Sequence, residues 1–136
     1  MAIEFPTDEW IKTFCGKLNE SETYARVAKT WEGDFYFVVE AGGPLQEEVC
    51  LYMDLWHGAC REAFEAADRS QKDPEFVMSA PYHTWCKVIR GELDPIKGLM
   101  SRQLSLKGNM GKIMRAPQAA KELVACCAKV DTEFIE

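Results

Sequence analysis

Apolar residues recur at helical spacing through the N-terminal part of the chain. Thr7 can cap a first helix, because its hydroxyl can accept a hydrogen bond from a backbone N–H of the first turn. The apolar face of that helix comprises Trp10, Ile11, Phe14 and Leu18. Ser21 can cap a second helix, whose apolar face comprises Tyr24, Val27, Ala28 and Trp31. The pattern therefore predicts two amphipathic helices before Gly33.

The spacing changes to alternation after Gly33, which predicts strands. Phe35, Phe37 and Val39 share one side of a strand that ends at Glu40. The turn signal Gly42-Gly43-Pro44 predicts a hairpin, and the return strand is expected from Val49 to Trp56. Each strand has one strongly apolar side, as in an antiparallel sheet with a covered face.

The segment from Cys60 to Asp68 fits two structures. Its alanines and glutamates favour helix by propensity, whereas its position after a hairpin strand favours another strand, which we adopt. A polar turn over Ser70 to Pro74 and a short strand over Glu75 to Ala80 follow.

Capping signals in the second half predict four short helices and one short strand. Pro81 is expected at a first helical position, and Asp94-Pro95 combines a capping carboxylate with a preset φ. Alternation from Leu104 to Lys107 predicts a strand, after which Asn109 and Pro117 begin the last two helices.

Size and charge narrow the function classes. A chain of 136 residues fits one domain, so residues 1–136 are expected to form a single unit. A net charge of −6 argues against a nucleic-acid-binding or anionic-membrane surface. No apolar stretch is long enough to span a membrane, and Glu4, Asp8 and Glu9 do not fit a signal peptide. The expected location is cytoplasmic, with no integral membrane association.

Catalytic and cofactor-binding motifs do not appear in the sequence. His57 and His83 stand at no metal-ligand spacing, and the six cysteines are expected as buried free thiols. The glycines of Lys107 to Lys112 lack the spacing of a phosphate-binding loop. The sequence thus predicts no enzyme activity and no cofactor. A scattered enzyme site that uses Cys86 or His83 is the weakest alternative.

One stretch resembles a known family. Gly91-Glu92-Leu93-Asp94-Pro95, then Leu99, then Leu104 to Asn109 are similar to the sterol carrier protein family. The order of elements matches over roughly residues 5 to 128, although relatives typically have glycine at the position of Arg102 or Gln103. The resemblance implies an α+β fold, a twisted antiparallel sheet of about five strands with helices packed on one face.

The same resemblance implies an internal tunnel for a lipid, and a fatty acid or fatty acyl-CoA is expected in preference to a sterol. Methionines suit an adaptable apolar cavity because their side chains are unbranched and polarizable. The candidate cavity residues are Phe37, Trp85, Ile89, Leu99, Met100, Leu104, Leu106, Met110 and Met114. The predicted function is non-catalytic lipid binding or transfer, with a homodimer also compatible. The alternative is an accessory or dimerisation module without a lipid, in which Trp10, Trp31 and Trp56 would belong partly to an interface.

Overall fold

The computed structural model describes residues 2–135. In chain order the elements are β1 (Ile3–Phe5), α1 (Asp8–Glu20), α2 (Glu22–Val27), β2 (Glu32–Glu40), β3 (Val49–Trp56), β4 (Ala59–Ala66), β5 (Phe76–Pro81), α3 (Tyr82–Ile89), α4 (Pro95–Met100), β6 (Ser105–Lys107), α5 (Met110–Met114), α6 (Pro117–Cys127) and β7 (Thr132–Phe134).

The predicted helix caps are confirmed. Thr7 Oγ1 accepts a hydrogen bond from a backbone N–H of α1 at 3.1 Å, and Ser21 Oγ accepts one from α2 at 3.0 Å. The side chains of Asp94 and Asn109 cap α4 and α5 in the same way. The prediction at Pro81 was wrong by one residue: Pro81 keeps an extended backbone as the last residue of β5, so α3 begins one position later.

Five strands form one sheet in the order β4-β3-β2-β5-β6. Three of its pairs are antiparallel, but β2 and β5 run parallel, so the sheet is mixed where an antiparallel one was predicted. After the edge strand β4 the chain crosses over the sheet and enters β5. Strand β5 lies beside β2 and runs parallel to it. The segment of uncertain type, Cys60 to Asp68, falls largely in β4 and is a strand.

The two faces of the sheet are both apolar but are covered differently. The face towards the helices carries Phe35, Phe37 and Leu51 within the main core. The opposite face carries a smaller cluster with Tyr36 and Tyr52, where the Tyr36 hydroxyl accepts a hydrogen bond from the Lys72 N–H at 2.7 Å. The β4–β5 connection thus covers the outer face, and the helices cover the inner one.

A second, parallel pair of strands joins the two ends of the chain. Ile3 of β1 lies opposite Thr132 of β7. The indole N–H of Trp10 donates to Thr132 Oγ1 at 2.9 Å, which fastens this pair to α1. The sequence did not predict these strands, since each has only three residues and the partners lie far apart along the chain.

Candidate ligand-binding site

An apolar cavity of about 100 Å³ lies between the inner face of the sheet and the helices. None of the side chains on its wall carries a charge. The wall is formed by Phe5, Trp10, Ile11, Phe14, Tyr24, Trp31, Phe35, Phe37, Val39, Leu51, Leu55, Met78, Trp85, Val88, Ile89, Pro95, Ile96, Leu99, Ile113, Ala116, Ala119, Ala120, Leu123, Val124 and Cys127. A void of this kind stays free of water, because water would find no hydrogen-bond partners in it.

The sheet side of the cavity is built by strand alternation. Phe35, Phe37 and Val39 project from β2 to the same side, and Phe37 lies opposite Leu51 on β3 and Met78 on β5. The rings of Phe35 and Phe37 stack with their centres 5.2 Å apart. Close-packed, stiff side chains give this side of the cavity a fixed shape.

Three tryptophans present only their carbon surfaces to the cavity. The indole N–H of Trp85 donates to the Val38 carbonyl at 2.8 Å, and that of Trp31 donates to the Gly33 carbonyl at 3.1 Å. The Trp10 N–H is bound to Thr132, as described above. Because each polar group is already satisfied by the protein, the indoles contribute no polar atom that a ligand must match.

The helix side of the cavity is thinner than the sheet side. Six wall residues of the cavity are partly exposed. One is Trp31, between α2 and β2, and the other five lie on α4, at the start of α6 or within α6: Ile96, Ala116, Ala120, Leu123 and Val124. The helices α4 and α5 have only six and five residues, and Ile113 is the buried residue of α5. The cavity therefore comes closest to solvent where α4, α5 and α6 meet.

A family model described as the SCP-2 sterol transfer family matches residues 11–121. The chain belongs to this family. The matched range contains all the helices and strands around the cavity except β1, β7 and the ends of α1 and α6.

Solved structures support the SCP-2 assignment. A crystal structure of sterol carrier protein 2 is 37% identical, with a TM-score of 0.81 over 91% of this chain and 97% of that one. A conserved hypothetical protein from Thermus thermophilus, described as a possible sterol carrier protein, is also 37% identical, with a TM-score of 0.85 over 93% of this chain and 90% of that one.

A more distant structure shares the SCP-2 fold alone. The sterol carrier protein domain 2 of Helicoverpa armigera is 17% identical, with a TM-score of 0.61 over 92% of this chain and 95% of that one. The curated proteins gave no match.

The structure places four of the nine candidate cavity residues on the wall. Phe37 lies on β2, Trp85 and Ile89 lie on α3, and Leu99 lies on α4. Their contact with a ligand stays a prediction.

The other five candidates lie away from the wall. Leu104 is buried beside α4, and Leu106 and Met114 are partly exposed. Met100 and Met110 project to the surface, with exposed fractions of 72% and 38%.

Many wall residues of this SCP-2 domain were absent from the candidate set. They include Phe14 on α1, Leu51 on β3, and Ala120 and Leu123 on α6. Their signal was present, because each lies on the apolar face of its helix or strand. Which apolar residues leave a void and which fill it depends on how the elements are placed in space, and periodicity does not carry that information.

The groups named in the enzyme alternative are poorly suited to nucleophilic catalysis. Cys86 is buried, and burial raises the pKa of its thiol, with Tyr82 and Arg90 offsetting part of the shift. A raised pKa disfavours the thiolate, which is the reactive form. His83 is exposed on the first turn of α3. All six cysteines are free, and five are buried while Cys15 is partly exposed, close to the prediction.

Within residues 2–135, no helix combines the length and the apolar character needed to cross a bilayer.

Proposed function

We propose that this SCP-2 domain binds a single acyl-chain lipid in the cavity between sheet and helices and carries it without chemical change. The observation that supports this most strongly is the uncharged, water-excluding wall described above. An acyl chain gains about 0.8 kcal/mol for each methylene moved from water into such surroundings. Burial of a chain of moderate length is thus sufficient for tight binding without any polar contact.

The size of the cavity sets a condition on the ligand. About 100 Å³ is too small for a whole long acyl chain, so the wall must move outward as the lipid enters. The side that can move is formed by α4 and α5, because helices this short depend on tertiary contacts for their stability. A flexible acyl chain fits a space that opens in this way more readily than a rigid ring system, so a fatty acid or fatty acyl-CoA is the proposed ligand class.

The shape of the interior favours lipid binding over an accessory module without a lipid. Such a module needs no void, and its core would gain from close packing. Trp10 and Trp31, assigned partly to an interface under that alternative, both line the cavity, and only Trp56 is exposed at the surface. Free thiols suit a reducing compartment, so we place the activity of residues 1–136 in the cytoplasm.

Filling the cavity tests the proposal. Ala120 lines the void from α6 and is partly exposed, so an Ala120→Phe side chain can occupy the void without severe overlap. We expect displacement of a fluorescent fatty acid to show affinity reduced about tenfold or more, since loss of two buried methylenes already costs about 1.6 kcal/mol. Native mass spectrometry should show co-purified lipid on the wild-type protein and less on the variant.

Ala125→Phe is the matched control, because Ala125 lies on the exposed side of the same helix and outside the cavity wall. It should bind the fatty acid as the wild type does. Equal affinity in both variants, or a wild-type protein that neither retains nor binds any acyl lipid, would contradict the proposal.

A further inference from the structure

The side chain of Lys112 joins the short helix α5 to the starts of two sheet strands. Its ammonium donates to the backbone carbonyl of Glu32, the first residue of β2, and to Glu75 Oε2 at 2.8 Å, directly before β5. The same ammonium lies over the rings of Trp31 and Phe76, 5.1 and 5.6 Å from their centres. One cation thus holds the helix to the sheet by hydrogen bonds, an ion pair and cation–π contacts.

Apart from its chain connections, α5 has few other attachments. Within residues 2–135, the hydrogen bonds that join a side chain of α5 to another part of the chain all come from Lys112. Ile113 is the buried residue of α5, whereas Met110 is exposed and Met114 is partly exposed. The position of α5 therefore depends on Lys112 at the surface and on Ile113 in the core.

The contacts of Lys112 cross the boundary between the movable side of the cavity and the fixed side. Ile113 and Trp31 both line the cavity, and Trp31 is one of its partly exposed wall residues. The Trp31 ring stacks on that of Phe35 in β2, with centres 5.9 Å apart, so it belongs to the fixed side. Lys112 directly precedes Ile113 and lies over Trp31, at the place where α5 meets the sheet.

We propose that Lys112 is a latch: its contacts hold α5 closed over the empty cavity and must break before a lipid enters. This rests on the proposed function, in which the side formed by α4 and α5 moves outward with the ligand. A lipid that binds only the open arrangement has its apparent affinity reduced in proportion to the fraction of molecules that are open. Removal of the latch therefore raises the affinity, although it takes contacts away from the protein.

Lys112→Ala tests the latch, because alanine removes the cation and suits a helix. We expect displacement of a fluorescent fatty acid to show about fivefold tighter binding. This factor corresponds to about 1 kcal/mol, as expected for a partly exposed ion pair and its cation–π contacts. Stopped-flow mixing should assign the gain to faster association, since more molecules are open when they meet the lipid. A variant that is only destabilised would not gain affinity.

Arg115→Ala is the matched control, since Arg115 is an exposed cation at the end of the same helix and, within residues 2–135, forms no ion pair. It should bind the fatty acid within about twofold of the wild type. Lys112→Arg should do the same, because a guanidinium can pair with Glu75 and stack over Trp31. Urea denaturation checks that each variant is folded.

Hydrogen exchange of the unliganded protein separates the latch from the proposed function. Without lipid, Lys112→Ala should exchange about fivefold faster in residues 110–116, while exchange in β3 changes little. If exchange is faster but the wild type binds no fatty acid, the hold of Lys112 on α5 is supported and the proposed function alone fails.

Three results would overturn the latch. The first is a wild type that binds the fatty acid with the same affinity as Lys112→Ala. The second is an equal effect of Lys112→Ala and Arg115→Ala on affinity or exchange. The third is weaker binding by Lys112→Ala, which would mean that the ammonium contacts the lipid itself.

Discussion

The indole N–H groups of the three tryptophans around the cavity donate to protein acceptors, and this keeps their contribution to the wall apolar. A tryptophan is amphipathic, so an indole N–H without a partner would attract water or demand a polar ligand. The Trp85 N–H instead donates at 2.8 Å to the Val38 carbonyl, a group of the central strand β2. The same bond fixes the orientation of the ring against Phe37, whose ring centre lies 5.7 Å away.

We expect Trp85→Phe to lower the free energy of unfolding by about 1–2 kcal/mol, because it removes a buried hydrogen bond and part of a buried ring. Urea denaturation monitored by circular dichroism measures this loss. Trp56→Phe is the control, since Trp56 is exposed and its indole N–H has no hydrogen-bond partner among residues 2–135. It should change stability by no more than about 0.5 kcal/mol. Equal losses in the two variants would show that the Trp85 hydrogen bond contributes nothing of its own.

At the scale of elements, α1 protects the exposed edge of the sheet. The edge strand β4 has unpaired backbone groups on its outer side, and such edges promote aggregation. The Asn19 side chain pairs with both backbone groups of Cys60, at 2.8 and 2.9 Å. At the other end of α1, Asp8 Oδ1 accepts a hydrogen bond from the Glu65 N–H at 2.8 Å. Side chains of α1 thus bind backbone groups of β4 that would otherwise be open to pairing with a further strand.

The Asp8 contact makes stability depend on pH. Its hydrogen bonds with the Lys12 ammonium and then with the Glu65 N–H lower the pKa of the Asp8 carboxyl below its ordinary value of 3.8. The ionised group therefore stabilises the folded state above that pH, and this contribution is lost as the pH falls through the lowered pKa. We expect Asp8→Ala to cost about 0.5–1 kcal/mol at pH 7, because the group is exposed and well screened.

The difference between the wild type and Asp8→Ala, measured by urea denaturation, should shrink below pH 3.8. Glu9→Ala is the neighbouring control in the first turn of α1. A difference that stays constant down to pH 3 would mean that the Asp8 carboxylate is not the group responsible.

Elements with local signals were predictable from the sequence, and their arrangement was less so. Thr7 and Asp94 mark helix starts because a cap and its N–H partner lie within three residues of each other. The β2–β3 hairpin was predictable because its turn lies between its strands. The parallel pairing of β2 with β5 was not, since it depends on where the chain re-enters the sheet.

The candidate site was likewise predictable in its local features but not in its spatial arrangement. The apolar faces could be read from periodicity, but the exposed fraction of Met100 could not. That methionine follows Leu99 by one residue on a six-residue helix, and the turn of the helix points the one inward and the other to solvent. A preference for methionine as a cavity residue therefore selected a side chain that the fold places outside.

For the whole molecule, the structure combines a fixed wall with a movable one. The sheet strands are paired along their length and carry the stacked phenylalanines, whereas α4 and α5 are short and cover the cavity with few buried side chains. A bound lipid should stabilise the folded protein, because a ligand that binds only the folded state stabilises it by about 2.7 kcal/mol at a concentration of one hundred times its Kd. This stabilisation should be most visible in the elements that open most easily in the unliganded protein.

We therefore expect hydrogen exchange in residues 95–116 to be faster than in β2 and β3 without ligand, and to slow markedly when a fatty acid such as oleate is added. Local opening of short, weakly buried elements requires less free energy than global unfolding, so their amides exchange first. Exchange measured by mass spectrometry on the same sample gives β3 as an internal control, whose protection should change little. If oleate displaces the fluorescent probe but leaves exchange in residues 95–116 unaltered, then lipid enters without displacement of α4 and α5, and the sheet side must yield instead.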